Sequence, residues 1–220
     1  MKKFILRCSS ILFQLIFMLI LPFILLIRGS VWLYETYQWP SWLALVASVA
    51  VVCILLLIYV AMIYDALIGP GKMTRTSIKV KSVLVVCLML GFVGYSLFNL
   101  SGKNAKSEEV RKEYLALHPF LKLSVGTLVL IDEGMLVTDM SRSSHDYQQM
   151  GLPSLKHSLH YKQSNGYVHA LDLRTKGRSE FRNTALAFYF KLLGFNTLRH
   201  VGTADHLHVS LSIADLPGAI

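Results

Sequence analysis

The chain has 220 residues, 54% of them hydrophobic, and a positive mean hydropathy. This apolar content exceeds that of an ordinary soluble domain and indicates a membrane protein. The formal net charge of +9 could suggest nucleic acid, but much of the Lys and Arg excess lies beside apolar runs, where membrane topology explains it. We therefore expect contacts with membrane lipid and no nucleic-acid partner.

Three runs in the first half of the chain are nearly uncharged, and each is close to the ~20 residues that cross a bilayer as a helix. They lie at about 9–27, 41–64 and 82–100. We predict three transmembrane helices, so that residues 1–100 form a membrane anchor. The first run begins like a signal peptide, but its apolar stretch is too long and it lacks a small-residue cleavage site, which favours an uncleaved anchor.

The basic residues of the short loops predict the orientation of the anchor. Lys and Arg precede the first helix and fill the loop between the second and third, whereas the first loop, about 28–40, contains only Arg28. The N-terminus and the second loop should therefore lie in the cytoplasm. Three crossings from there place everything after residue 100 outside. We expect a multi-pass protein of the cytoplasmic (inner) membrane with its C-terminal domain on the periplasmic side. Aromatic residues in the first loop fit a belt at the outer interface: Trp32, Tyr34, Tyr37, Trp39 and Trp42.

The rest of the chain alternates short apolar stretches with polar segments. Residues 101–117 form a charged connector that we expect to become a short helix by Glu108. The segment 127–139 predicts two short strands around an Asp-Glu-Gly turn. Further elements are predicted at 168–175 (strand), 179–194 (helix ending at Gly194) and 206–213 (strand). Residues 118–220 are therefore expected to form a compact α+β domain with an antiparallel sheet.

Histidines and aspartates form two groups in this domain. His206 and His208 are two residues apart on the final strand, so both should project from one face while the intervening apolar residues take the buried face. Upstream, His160 precedes Asp172 beside another strand. All three cysteines lie in or beside the predicted spans, so a metal in this domain must use His and carboxylate ligands.

A hydrolytic zinc site needs three protein ligands and a fourth position for water. His160, Asp172 and His208 would supply that set, which makes Zn²⁺ the expected cofactor. A nearby carboxylate must take the proton of the water, and Asp205 is the candidate general base. His206, on the same face as His208, could stabilise a developing oxyanion or support the site.

These residues resemble the motifs of the zinc D-alanyl-D-alanine peptidases, a family that includes the VanY-type carboxypeptidases and shares its fold with the Hedgehog signalling domain. The family's Ser-x-His-x-x-Gly-x-Ala-x-Asp motif is matched by Ser158, His160, Gly166, Ala170 and Asp172. Its Glu-x-x-His motif is matched by Asp205 to His208. The segment TDMSRS, 138–143, is similar to one that precedes the first family motif, and it implies that Arg142 binds the substrate carboxylate.

The chain departs from the family pattern in two places. The interval from His160 to Asp172 is five residues longer, and the extra residues lie before Ala170. An alternative ligand, His169, is less attractive because residues three apart on a strand point to opposite faces. The second departure is Asp205, where the family usually has Glu.

The expected fold is therefore three transmembrane helices followed by a small α+β domain, and the resemblance implies that this domain is a zinc peptidase. Its expected activity is hydrolysis of D-amino-acid-containing peptidoglycan peptides, as a carboxypeptidase or an endopeptidase. The alternative is a catalytically inactive, zinc-containing module that binds or senses the cell wall.

Overall fold

The structure, a computed structural model, describes residues 2–69, 73–149, 151, 153, 158–202 and 204–211. Its first half consists of three long helices, α1 (Lys2–Tyr37), α2 (Ser41–Ile68) and α3 (Arg75–Phe98). Each contains a segment long and apolar enough to cross a membrane. The predicted transmembrane character is therefore supported by length and composition. Residues 212–220, which include the end of the last predicted strand, lie outside the described part of the chain.

The first helix continues well past its predicted span. The expectation of an aromatic loop at 28–40 is wrong, because α1 extends to Tyr37 and only three residues connect it to α2. Ile27, Val31 and Tyr34 are buried at helical spacing, so a packed stripe continues through this region. The added turns carry α1 beyond the apolar run and into contact with the C-terminal domain.

The connector and the following segment are helical. The predicted short helix is confirmed as α4 (Glu108–Glu113), which the Ser107 side chain caps. The expected strand at the start of 127–139 is wrong, because α5 (Pro119–Ile131) occupies that region. Every residue of α5 from Pro119 to Leu128 is buried, and a helix buried all round has no polar face to show its period in the sequence.

A four-stranded antiparallel sheet follows α5, and this part of the predicted fold class is confirmed. The strands, in the spatial order β1-β2-β4-β3, are β1 (Val137–Asp139), β2 (Ala170–Arg174), β3 (Asn196–His200) and β4 (His206–Ser210). The predicted helix is α7 (Glu180–Leu193), which begins after Ser179 and ends at a left-handed Gly194 with φ 102°. Strand β3 and helix α6 (Ser144–Gln149) were not expected from the sequence.

The two faces of the sheet have different roles. Leucines of β2 and β4 belong to the same buried cluster as Leu186 and Phe190 of α7, so helices cover that face. Asp172 and His208 are directly opposite each other in the β2–β4 register and alternate with those leucines. The polar residues of the two central strands are therefore presented on the face away from α7.

The C-terminal domain packs directly on the three long apolar helices. The Tyr114 hydroxyl donates to the Ser96 carbonyl at the end of α3, at 2.6 Å. Ser41, at the start of α2, lies 2.9 Å from the buried His118 ring at the start of α5. Gly126 of α5 approaches Ser96 so closely that an added Cβ would lie 3.2 Å from the Ser96 Cα. The domain therefore lies at the end of the helices opposite the α2–α3 connection.

Candidate metal centre

The three predicted metal ligands meet on the open face of the sheet. One ligand atom from each of His160, Asp172 and His208 lies within 4.8 Å of the others. Asp172 Oδ1 is 2.9 Å from His208 Nδ1 and 3.4 Å from His160 Nε2, and the two ring nitrogens are 3.2 Å apart. These residues, called the triad below, form a group that could hold a metal ion.

The backbone orients the triad. Asp172 and His208 are fixed as directly paired residues of β2 and β4. The His160 ring is held by a 2.7 Å contact between its Nδ1 and the Met140 carbonyl, which can only accept, so Nδ1 carries the proton. The lone pair on Nε2 is then free for the triad, which is the usual way a protein orients a metal-binding imidazole. His160 and Asp172 are buried and His208 is partly exposed, so the group opens to solvent on the His208 side.

Arg142 supports the ligand carboxylate from behind. Its guanidinium donates to Asp172 Oδ2 at 2.6 Å and to Asp139 Oδ2 at 2.7 Å. Burial alone would lower the pKa of Arg142, but the charges of Asp139 and Asp172 raise it above its ordinary value. The resemblance implied that Arg142 binds a substrate carboxylate, whereas in this structure it pairs with two carboxylates of the protein.

Asp172 remains ionised in this setting. Burial would raise its pKa, but the adjacent His160 and His208 rings and the charge of Arg142 hold the pKa well below its usual range. One carboxylate oxygen faces the two imidazoles and the other faces Arg142. An anionic oxygen is therefore available to the triad at neutral pH.

Asp205 borders the same cleft but is not part of the triad. Its Oδ1 accepts from the Thr175 hydroxyl at 2.5 Å, and both of its oxygens accept from the Arg199 guanidinium at 2.9 and 3.0 Å. These hydrogen bonds, first from Arg199 and then from Thr175, lower the pKa of Asp205 to about 2. Arg199 also binds Glu180 at the start of α7. A carboxylate held in this way is a weak proton acceptor unless the ion pair opens.

His206 lies next to the triad. Its Nε2 is 3.7 Å from Asp172 Oδ2, and its Nδ1 lies 2.6 Å from the Ala204 carbonyl. The carbonyl fixes the proton on Nδ1, so the Nε2 lone pair faces the site. His206 also stacks on His200, with ring centroids 4.7 Å apart.

A cleft of about 470 Å³ opens beside the triad. Asp172, Arg142 and His206 form part of its wall. Exposed basic residues contributed by the connector and by β2 and the turn after it also line the cleft: Lys106, Arg174 and Lys176. These residues make one side of the cleft basic, and Asp139, Asp172 and Asp205 also line it.

The alternative ligand His169 lies in a different cluster. Its Nε2 is 2.9 Å from the Asn165 side chain, and its ring centroid is 4.9 Å from that of His118. Asn165 donates to the Tyr34 hydroxyl of α1 at 3.3 Å, and Trp42 of α2 donates to the Tyr167 hydroxyl at 3.1 Å. The longer interval between His160 and Asp172 thus packs on the transmembrane helices.

Sequence reasoning missed two side chains that complete the site. Asp139 pairs with Arg142, and the Tyr147 hydroxyl lies 2.7 Å from Ser158 Oγ, which accepts the backbone N–H of His160. Asp139 lies within the TDMSRS segment, three residues before Arg142, so its proximity to the arginine was the available signal. Tyr147 lies on the unpredicted helix α6, and nothing in the local sequence indicated it.

No protein-family model, curated protein or solved structure matches this chain. The likeness to the zinc D-alanyl-D-alanine peptidases therefore rests on the motif residues alone, and any function must be argued from the site.

Proposed function

We propose that this protein is a membrane-anchored zinc metallopeptidase that hydrolyses D-amino-acid-containing peptides of peptidoglycan. The observation that carries the proposal is the convergence of His160, Asp172 and His208 beside an open cleft. Two imidazole nitrogens and one carboxylate oxygen form a donor set that zinc takes in hydrolytic sites. When bound, zinc would lower the pKa of a water molecule and polarise the scissile carbonyl.

The chain's own residues have separate tasks in this proposal. The Met140 carbonyl keeps His160 in the ligating tautomer, and Arg142 keeps Asp172 ionised and oriented. The exposed basic residues of the cleft, Arg174 among them, would attract the terminal carboxylate of a peptide.

Two residues can take the proton of the attacking water. Asp205 matches the family's base position, but it must first leave its ion pair with Arg199. His206 presents an unprotonated Nε2 next to Asp172 without any rearrangement. The substitutions Asp205→Asn and His206→Gln distinguish the two, because removal of the general base should lower turnover by roughly 100-fold or more. His145→Gln is the matched control, since His145 is an exposed histidine of α6 that contacts Gln149 and not the triad.

The position of the site supports the proposed substrate class. The loop that follows His160 contacts α1 and α2 through Asn165 and Tyr167, so the site cannot move far from the membrane. The distribution of Lys and Arg around the apolar helices predicts that the C-terminal domain is on the periplasmic side. Peptidoglycan peptides within reach of the membrane surface are the substrate that this position favours.

The alternative function is a catalytically inactive zinc module that binds or senses the cell wall. The observation that favours it is the bidentate pairing of Asp205 with Arg199, which occupies the expected base. In that case Arg199 of β3 has a structural role, because it joins Asp205, just before β4, to Glu180 of α7.

Activity on purified muropeptides tests the proposal. The full chain in detergent, supplied with zinc, should release D-alanine or shorter peptides from muropeptides ending in D-alanyl-D-alanine, as read by product mass. Chelation should abolish the reaction, zinc should restore it, and His208→Ala should be inactive. A protein that binds zinc and muropeptides yet releases no product would favour the inactive module.

A further inference from the structure

A second site lies on the helix-covered side of the domain, across the sheet from the triad. It is a groove of about 210 Å³ between the end of α5 and the first half of α7. Its lining includes Ile131, Asp132, Arg178, Phe181 and Arg182. The proposed peptidase function uses none of these residues.

The groove carries an excess of positive charge. Arg178 and Arg182 both donate to the Asp132 carboxylate, the latter at 2.7 Å, so these three residues leave one net positive charge. The Arg178 side chain is only 10% exposed, yet its Nε and Nη1 have no hydrogen-bond partner among the described residues. Buried guanidinium donors without an acceptor are unfavourable, so a small shift of the Arg178 side chain toward an oxyanion in the groove would be stabilising.

The rim of the groove is apolar. Ile131 is 72% exposed and Phe181 is 83% exposed, beside a cationic pair. Phe188, about two turns after Phe181 on α7, is 65% exposed. An exposed apolar rim around a cationic centre fits an amphiphile that has an anionic head and a hydrocarbon tail.

The two helices that form the groove also pack on the long apolar helices. Gly126, one turn before the groove on α5, packs against Ser96 near the end of α3. At its far end α7 stops at Gly194, which packs so closely on Arg28 and Val31 of α1 that a side chain there would collide with them. Both helices that form the groove therefore contact residues within the candidate membrane spans, which brings this part of the domain close to lipid.

We propose that this groove binds the phosphodiester headgroup of an anionic membrane phospholipid. Arg178 and Arg182 contact the phosphate oxygens, and Ile131 and Phe181 contact the first carbons of the acyl chains. The single net positive charge of the groove matches the single negative charge of a lipid such as phosphatidylglycerol. A zwitterionic lipid would place a second cation beside the two guanidinium groups and should bind more weakly.

Native mass spectrometry of the full chain in detergent tests this proposal. Short-chain phosphatidylglycerol should bind saturably and more tightly than short-chain phosphatidylcholine or inorganic phosphate. Arg182→Gln should weaken phosphatidylglycerol binding about ten-fold or more, because it removes a charged hydrogen-bond donor. Arg182 is half exposed, so this substitution should leave the fold intact. Arg111→Gln is the matched control, since Arg111 is an exposed arginine paired with Glu108 on α4.

A second variant separates the headgroup from the acyl chains. Phe181→Ser leaves both guanidinium groups in place, so it should weaken lipid binding while leaving inorganic phosphate binding unchanged. Equal binding of both lipids, or Arg182→Gln binding phosphatidylglycerol as tightly as wild type, would overturn the proposal. Inorganic phosphate binding as tightly as the lipid would identify a free-anion site and would also overturn it.

Discussion

Asp172→Asn probes the metal centre most directly, because it removes the anionic ligand while keeping the size of the side chain. Zinc bound by four ligands is worth ~10–16 kcal/mol at pH 7, or about 3 kcal/mol for each ligand if the ligands share it equally. Each 1.4 kcal/mol is about ten-fold in affinity. We therefore expect zinc to bind the variant roughly 100-fold more weakly than wild type.

The same substitution should also destabilise the metal-free protein. Asp172 is 4% exposed and accepts the 2.6 Å hydrogen bond from Arg142, which is 15% exposed. Removing one partner of a buried ion pair costs about 3–5 kcal/mol. The cost here should be near the lower value, about 3 kcal/mol, because Arg142 keeps Asp139 and the amide oxygen can still accept.

The two effects combine in a measurable difference. At a zinc concentration 1,000 times the wild-type Kd, zinc should raise the unfolding free energy of wild type by about 4 kcal/mol, but that of the variant by only ~1.4 kcal/mol. Chelator competition gives the two affinities, and thermal unfolding of the full chain in detergent, with and without zinc, gives the stabilisation. Asp146→Asn is the matched control, because Asp146 of α6 accepts hydrogen bonds from Ser143, just before that helix, and is not part of the triad. Equal zinc affinities for wild type and Asp172→Asn would refute the assignment of Asp172 as a ligand.

Three further predictions concern the junction with the membrane, the base position and the topology. Gly126→Ala should destabilise the chain by about 1–2 kcal/mol, because a Cβ only 2.7 Å from that of Ser96 overpacks the contact by more than the helix gains from alanine. Gly91→Ala, where an added Cβ meets nothing within 4 Å, should be neutral or stabilising in the same thermal assay, and equal effects at the two glycines would contradict the junction. The pKa of Asp205 is lowered to about 2 in the folded chain, from ~3.9 in the unfolded chain. The ionised carboxylate therefore stabilises the fold above pH ~4, and this contribution is lost as the pH falls toward ~2. The Tm difference between wild type and Asp205→Asn should therefore close over that range, and a pH-independent difference would mean that the ion pair does not form. An alkaline phosphatase fusion at the C-terminus should be active and one in the α2–α3 connection inactive; the reverse pattern would place the domain in the cytosol.

The sequence was most informative where one local signal fixes one local structure. Long uncharged runs predicted the transmembrane helices, because a bilayer tolerates little else. Ser179 and Gly194 marked both ends of α7, because a cap residue and a left-handed glycine act within a single turn. Alternation along β4 predicted that His206 and His208 share a face, and both lie close to Asp172.

The sequence could not show how distant segments combine. Helix α5 looked like a strand because its residues are buried on every side, and that burial comes from α1 and α3, while Tyr189 of α7 donates to the Ser124 carbonyl. The pairing of Asp205 with Arg199 depends on the β3–β4 register, and β3 itself gave no recognisable pattern. The sequence by itself thus determined which residue types were available for a metal and which segments could enter a membrane, since both depend on local chemistry. Only the tertiary structure decided that Arg142 holds Asp172, that the extra residues before Ala170 pack on α1 and α2, and that Arg178 and Arg182 meet at Asp132. These contacts join residues far apart in the chain, and their formation depends on packing of the whole fold.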